Sequence, residues 1–279
     1  MLLTSYKASS KKQEKMEKYF TLDPSRDILF IVPANDGEAV EIRKILQIAK
    51  VNHVVTRQPW GATWVGLEPA VVEKVEECIS TNLSVVIYGV ELGGSARWDA
   101  INIDHHRYRD EDRTNEKSSI EQVAALLGVE LTRHQLLIAA NDKGWIPALK
   151  AMGASENEIK IVRAQDRLSQ GVTPDQEAQA VADVKAAEVR GGKWLVRCPQ
   201  GSTSAITDRL YGQYAELLTV DGRNGKWIYF GPRHMQFYAL TEGGTDFARW
   251  AGGDPKNGFS GVEKPTAETQ TKILEFFWR

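Results

Sequence analysis

Ile103-Asp104-His105-His106 sets a carboxylate beside two imidazoles, directly after a stretch that reads as a strand, Trp98 to Asp104. Imidazole and carboxylate together suit Mn, Fe or Zn better than Ca. Other acidic positions fall at the ends of other elements. Asp36-Gly37-Glu38 follows one apolar run, Glu91 follows another, and Asp142-Lys143-Gly144 interrupts an apolar helix, Leu136 to Asn141. Taken singly, Asp36 or Glu91 reads as a turn or cap residue, and Asp142 as a carboxylate paired with Lys143 or an arginine. Adjacent histidines alone can cap a strand in a polar loop. What points to metal chemistry is that one parallel sheet would bring all these clusters together.

The elements that must do so alternate along the chain. Asp27 to Val32, His53 to Thr56, Leu83 to Val90 and Trp98 to Asp104 read as strands. Glu38 to Lys50 and Glu68 to Thr81 carry helical spacing between them. Strands separated by helices imply a mostly parallel α/β sheet, with chemistry at the carboxyl ends of its strands. Helices follow from Ser118 or Ser119, each of which fits a capping box, and from Thr132 and over 154–170. Thr173-Pro174-Asp175 opens an alanine-rich helix expected to reach Arg190 and stop at Gly191-Gly192. From Lys193 the character becomes α+β: strands at 193–198, 216–220 and 227–230, helices at 202–214 and from Lys264 to the end. Gly252 to Gly258 reads as too glycine-rich for regular structure, a place where backbone approaches a ligand. The expected organisation is a basic extension over 1–26, a parallel-sheet domain over 27–170, a linker helix over 171–192 and a smaller domain over 193–279.

These residues resemble the DHH phosphoesterases, a family that includes pyrophosphatases, exopolyphosphatases, single-strand exonucleases and enzymes degrading nano-RNA or small nucleotides. Asp36 and Glu38 look like its first motif, Glu91 stands where the second has an aspartate, and Asp104-His105-His106 matches the motif that names it. Asp142-Lys143-Gly144 looks like the fourth. Gly252-Gly253 through Gly258-Phe259-Ser260-Gly261 resembles the glycine-rich signature of the associated C-terminal domain. The sequence departs from the pattern where Val32 replaces a histidine, where Glu91 replaces the bridging aspartate, and where Asp254 stands in place of a signature histidine.

The resemblance implies an active site in the cleft between two domains, with divalent metal as cofactor, Mn first and Mg second. Two ions roughly 3.5–4 Å apart lower the pKa of a shared water and clamp an in-line phosphoryl displacement. Asp36 would bind the first ion, Glu91 would bridge, and Glu38, His105 and Asp142 would complete the second. His106 would face the phosphate, while Asp104 would orient the neighbouring imidazole or share in coordination. Phosphate also calls for cationic and backbone partners: Arg107 and Arg109 after the histidines, with Arg113 nearby, and Arg233, His234, Gly252, Gly253 and Asn257 in the second domain. For each arginine the competing reading is a solvated surface charge. His53 and His134 read as structural, His53 being the candidate stand-in for the absent histidine at Val32. Trp60, Trp145 and Trp250 read as packing residues able to stack on a base.

Composition narrows the substrate. The 279 residues carry 35 basic and 37 acidic side chains, a net charge of −2, with 42% hydrophobic and 26% charged residues. That balance argues against a non-specific binder of long nucleic acid, whose footprint is a basic excess. Cys78 and Cys198 form no disulfide framework or zinc spacing. No run approaches the ~18 apolar residues of a membrane span, and the lysines of residues 1–20 lack the apolar stretch of a signal peptide. The expectation is a cytoplasmic phosphohydrolase acting on a small nucleotide or short oligonucleotide, with a homodimer as the candidate assembly. The alternatives are a nucleotide-binding or regulatory protein that lost one metal, and a polyphosphate or pyrophosphate hydrolase.

Overall fold

Ile28–Pro33 (β2) is apolar at nearly every position and buried along its length, the pattern of a central parallel strand covered on both faces. In the computed structural model, which describes residues 20–21, 28–106, 116–253 and 258–279, β2 pairs in parallel with Asn52–Thr56 (β3) and with Val86–Val90 (β4). Ala100–Ile103 (β5) extends the sheet in parallel beyond β4, and Phe20–Thr21 (β1) closes the other edge antiparallel to β3. The order is β1-β3-β2-β4-β5.

Alternation along β2 sends successive side chains to opposite layers. Phe30 and Val32 pack on Ile42, Ile45 and Leu46 of Gly37–Ile48 (α1), with Ile120 and Val123 of Ser119–Leu127 (α3) in the same cluster. Leu29 and Ile31 pack on Val71, Val75 and Cys78 of Pro69–Thr81 (α2). The chain leaves β2 toward β3 on one side and returns as β4 on the other. The point where strand order reverses therefore lies between β2 and β4, the place where open α/β sheets bind ligands.

Some elements differ from the sequence reading. β4 begins at Val86 rather than Leu83, because Asn82 Oδ1 accepts hydrogen bonds from the N–H and hydroxyl of Ser84 and turns the chain first. The helix expected over Leu136 to Asn141 is part of Arg133–Ala151 (α4), which breaks at Gly144 and Trp145 and resumes. Glu156–Ser169 (α5) packs against it.

A second unit runs from Gly171 to Arg279. Its helix Pro174–Lys185 (α6) stops before Arg190, and Glu188–Arg190 (β6) instead forms a hairpin with Lys193–Cys198 (β7). Gly191 and Gly192 both take positive φ, 56° and 80°, as a two-residue hairpin turn requires. They end a strand, not a helix. Thr203–Leu210 (α7), Glu216–Asp221 (β8), Lys226–Gly231 (β9), His234–Leu240 (α8), Arg249–Gly252 (β10), Gly258–Glu263 (β11) and Ala267–Trp278 (α9) complete the unit. Its sheet is mixed, ordered β10-β11-β9-β8-β7-β6. α6 and α7 share one core cluster with it, α8 and α9 the other.

The two ends of the glycine-rich segment are more regular than its composition implies, because Gly252 and Gly258 lie in paired strands. A Cβ on Gly258 would meet the Gly252 carbonyl oxygen at 2.5 Å and His234 Nε2 at 2.7 Å. At Gly258 the close approach that glycine permits is to Gly252 and His234. Among the described residues no helix is long and apolar enough to cross a membrane.

Candidate metal centre

Three strand ends of the first unit carry the acidic and imidazole groups. After β2, Asp36 is the N-cap of α1, its Oδ1 accepting the Ala39 N–H at 2.8 Å. Glu38, in the first turn, is buried and accepts the Ile120 N–H on Oε1 at 3.0 Å. After β4, Glu91 takes a left-handed φ of 52°, a conformation that costs a non-glycine residue about 1–3 kcal/mol and is over-represented at functional sites. Its N–H donates to the Ile103 carbonyl at 2.9 Å, so the residue is fixed at the mouth of the β4–β5 pair. The Ser119 hydroxyl donates to Glu91 Oε1 at 2.9 Å.

After β5, Asp104 turns the chain on its own side chain. Oδ1 accepts the His106 N–H at 2.8 Å and holds His106 Nδ1 at 3.0 Å. The Asp104 carbonyl is tied to α3 by Gln122 Nε2 at 3.2 Å. This local wrap presents the two imidazoles together, their ring centroids 4.2 Å apart. His105 Nε2 is in direct contact with Asp142 Oδ2 and lies 3.8 Å from Glu91 Oε1. Asp142 sits on the last turn of α4 before the break, where Trp145 takes φ 54°. Gly144 and Pro147 explain the break: the first lacks a side chain, and the second has no N–H to give to the preceding turn.

One ligand atom each from Glu91, His105, His106 and Asp142 lies within 4.8 Å of the others. Two imidazole nitrogens and two carboxylate oxygens form a donor set suited to Mn, Fe or Zn. Asp36 and Glu38 stand beside this group and feel its charge. Burial first, then the Asp142 carboxylate, push Asp36 up to about 7 against the pull of the Ala39 N–H. Burial, Asp142 and Asp36 push Glu91 up to about 7 as well. Glu38 is driven well above the usual carboxylate range by burial, Asp142 and Glu91. Burial pulls the His106 imidazole down, but its hydrogen bond to Asp104 and the charges of Glu91 and Asp142 outweigh that and raise it to about 9. Glu38 Oε2 is buried and, among the described residues, has no hydrogen-bond partner. Carboxylates crowded out of water, one with an orphaned oxygen, need a proton or a cation to offset the desolvation cost. A divalent ion fits these residues.

Of the remaining sequence candidates, Val32, His53 and His134 belong to the first unit and are not among its clustered ligands. Val32 is a fully buried core residue of β2. His53, on β3, is buried with Nδ1 3.0 Å from the Val51 carbonyl, and burial lowers its pKa; it is not among the clustered ligands. His134 bonds Gln165. In the second unit the Arg233 guanidinium binds Glu216 and the Phe276 and Phe277 carbonyls, and it stacks on the Phe276 ring at 4.3 Å. His234 is buried beside Gly258, the first residue of β11. Arg107, Arg109, Arg113, Asp254 and Asn257 lie outside the described residues, as does the basic extension apart from Phe20 and Thr21, which form β1. Ser119, Asp166, Arg163 and Asn141 also stand around the site. The sequence marks Ser119 only as a cap, and the other three carry no spacing signal.

No protein-family model and no curated protein matches the chain. In fold it is similar to solved structures. One is PggH, a pGpG-specific phosphodiesterase from Vibrio cholerae, at TM-score 0.46 and 12% identity, over 90% of this chain and 98% of that one. Another is RecJ from Thermus thermophilus in complex with Mn2+, at TM-score 0.46 and 11% identity, over 98% of this chain and 54% of that one. A third is the DHH domain of a protein from a family of ribosomal proteins, at TM-score 0.49 and 16% identity, over 90% of this chain and 85% of that one.

Proposed function

We propose that the protein is a metal-dependent phosphohydrolase of the DHH type, acting on a small nucleotide or short oligonucleotide with Mn as its first-choice ion. The observation that carries this reading is the convergence of Glu91, His105, His106 and Asp142 at the carboxyl edge of a parallel sheet. Glu91, His105 and Asp142 would hold the ion, with Asp36 and Glu38 adding charge beside it. A bound divalent ion supplies Lewis acidity and a water acidic enough to be a nucleophile at neutral pH.

The chain's own groups do the rest. Asp104 holds Nδ1 of His106 and so fixes the ring, leaving its other nitrogen to meet a phosphate oxygen; this is the carboxylate–histidine pairing that orients imidazoles in metal sites. Ser119 orients Glu91 by hydrogen bond. The near-neutral charge of the whole chain suits a small substrate better than a long polyanion. Cys78 and Cys198 are buried free thiols, which suits the cytoplasmic location we assign.

A second reading, a nucleotide-binding protein that takes a single ion and turns nothing over, is favoured by one observation. Val32 is apolar and part of the core, so β2 offers no imidazole to the Asp36 side. One experiment separates the readings. Metal-free protein is titrated with Mn(II), and the loaded protein is assayed on a generic phosphodiester, a linear dinucleotide, a trinucleotide and pyrophosphate, with His105→Ala in parallel. Hydrolysis lost in His105→Ala supports the enzyme. Equal turnover by mutant and parent refutes it, and one bound ion without turnover supports the binder.

A further inference from the structure

Gly37, between Asp36 and Glu38, donates its N–H to Asp166 Oδ1 at 3.1 Å, across 129 positions of sequence. A Cβ on Gly37 would meet that oxygen at 3.3 Å and the Asp166 Cα at 3.4 Å, so α5 lies directly against the N-terminus of α1. The other oxygen of Asp166 accepts from Arg163 at 2.8 Å and from Gln170 at 3.0 Å. The same Arg163 nitrogen donates to Asn141 Oδ1 at 2.9 Å, and its guanidinium lies over the Trp145 ring at 5.9 Å. Asn141 directly precedes Asp142, and Trp145 lies in the helix break that follows it. Both members of the pair are buried, each residue only 7% exposed.

A buried ion pair seldom adds net stability, because desolvation consumes what attraction returns. What this one does is geometric. One planar guanidinium is shared between the helix turn that carries Asp142 and, through Asp166, the turn that carries Asp36 and Glu38. We propose that Arg163, with Asp166, is a positioning residue of the metal centre, setting the separation between the carboxylates of residues 36 and 38 and that of residue 142. The proposal rests on the metal-centre reading above. A single Nη1 makes both hydrogen bonds, so what arginine adds over lysine is the planar guanidinium that fixes their directions and lies over the Trp145 ring.

Arg163→Met should weaken Mn(II) binding 10–100-fold, the usual penalty for removing an outer support of a metal site. Asp166→Asn should do the same, and Arg163→Lys should recover only part of the loss. Affinity is read by titration of metal-free protein followed by the spectrum of free Mn(II), with circular dichroism to verify folding. Arg209→Met is the control for mere loss of an ion pair, since Arg209 binds Glu177 at 2.7 Å within the second unit; it should change the melting temperature and leave Mn(II) affinity at the parental value. Folded Arg163→Met with parental affinity overturns the positioning role. If Arg163→Met does not fold, Arg163→Lys and Asp166→Asn decide by the same readout. A parent that takes up no Mn(II) overturns the metal centre itself and the positioning role with it, and is told apart by its blank titration.

Discussion

Raising the pH from 6 to 8 should tighten Mn(II) binding about 100-fold, because the metal competes with protons on Glu91, which would hold it, and on Asp36, whose charge stands beside it. Asp36 and Glu91 are each pushed up to about 7, by burial first and by neighbouring carboxylates next. At pH 6 both are mostly protonated and at pH 8 both are mostly charged. A group titrating at the centre of that window contributes about a factor of ten, so the two together give about 100. His106, held up to about 9 against its burial by Asp104, Glu91 and Asp142, separates two arrangements. If its imidazole joins the ion it must also shed a proton, and the dependence steepens toward about 10,000-fold. If it faces phosphate, the dependence stays near 100-fold. The assay is calorimetric titration of metal-free protein with Mn(II) at half-unit pH steps, in two buffers of different protonation enthalpy, so that protons released per ion are counted directly. Glu91→Gln should reduce the dependence by about tenfold. Affinity that is flat between pH 6 and 8, with no proton released at pH 6.5, refutes the reasoning.

The same groups set the pH dependence of stability without metal. Asp36 and Glu91 bind protons more tightly folded than unfolded, so their contribution is complete below about 4 and lost as pH rises through about 7; that of His106 is complete below about 6.5 and lost through about 9. The metal-free protein should therefore melt at a higher temperature at pH 5 than at pH 8, and saturating Mn(II) at pH 8 should raise the melting temperature; scanning calorimetry that finds the opposite order contradicts these shifts. In the core, a methyl on Gly89 would lie 2.2 Å from the Trp64 ring, which is buried with its Nε1 bonded to Asn102 at 3.0 Å. Gly89→Ala should cost on the order of 1–3 kcal/mol and lower the melting temperature by several degrees, measured by thermal denaturation.

What could be read from the chain alone was local. The apolar run of β2 declares a central strand, Asp104-His105-His106 follows its strand in sequence as in space, and Ser118 with Glu121 makes the reach-back half of a capping box. Each depends on residues a few positions apart, whose periodicity and backbone preference are set by the local sequence. Gly191-Gly192 ends a strand and not a helix, and Gly252 and Gly258 lie in paired strands, because glycine marks a helix end, a hairpin and a close-packed strand pair alike. Which of these it is depends on the partner strand.

The tertiary structure alone decided the site's geometry and charge. It joined Ser119 to Glu91 across 28 positions, Glu38 to Ile120 across 82, and Gly37 to Asp166 across 129. It also spent the fork of Arg233 on Glu216 and two backbone carbonyls. Residue type determined that these groups can bind a cation or a phosphate. Whether a carboxylate is charged near neutral pH depends on the water it has lost and the charges brought near it, and both are properties of the folded chain.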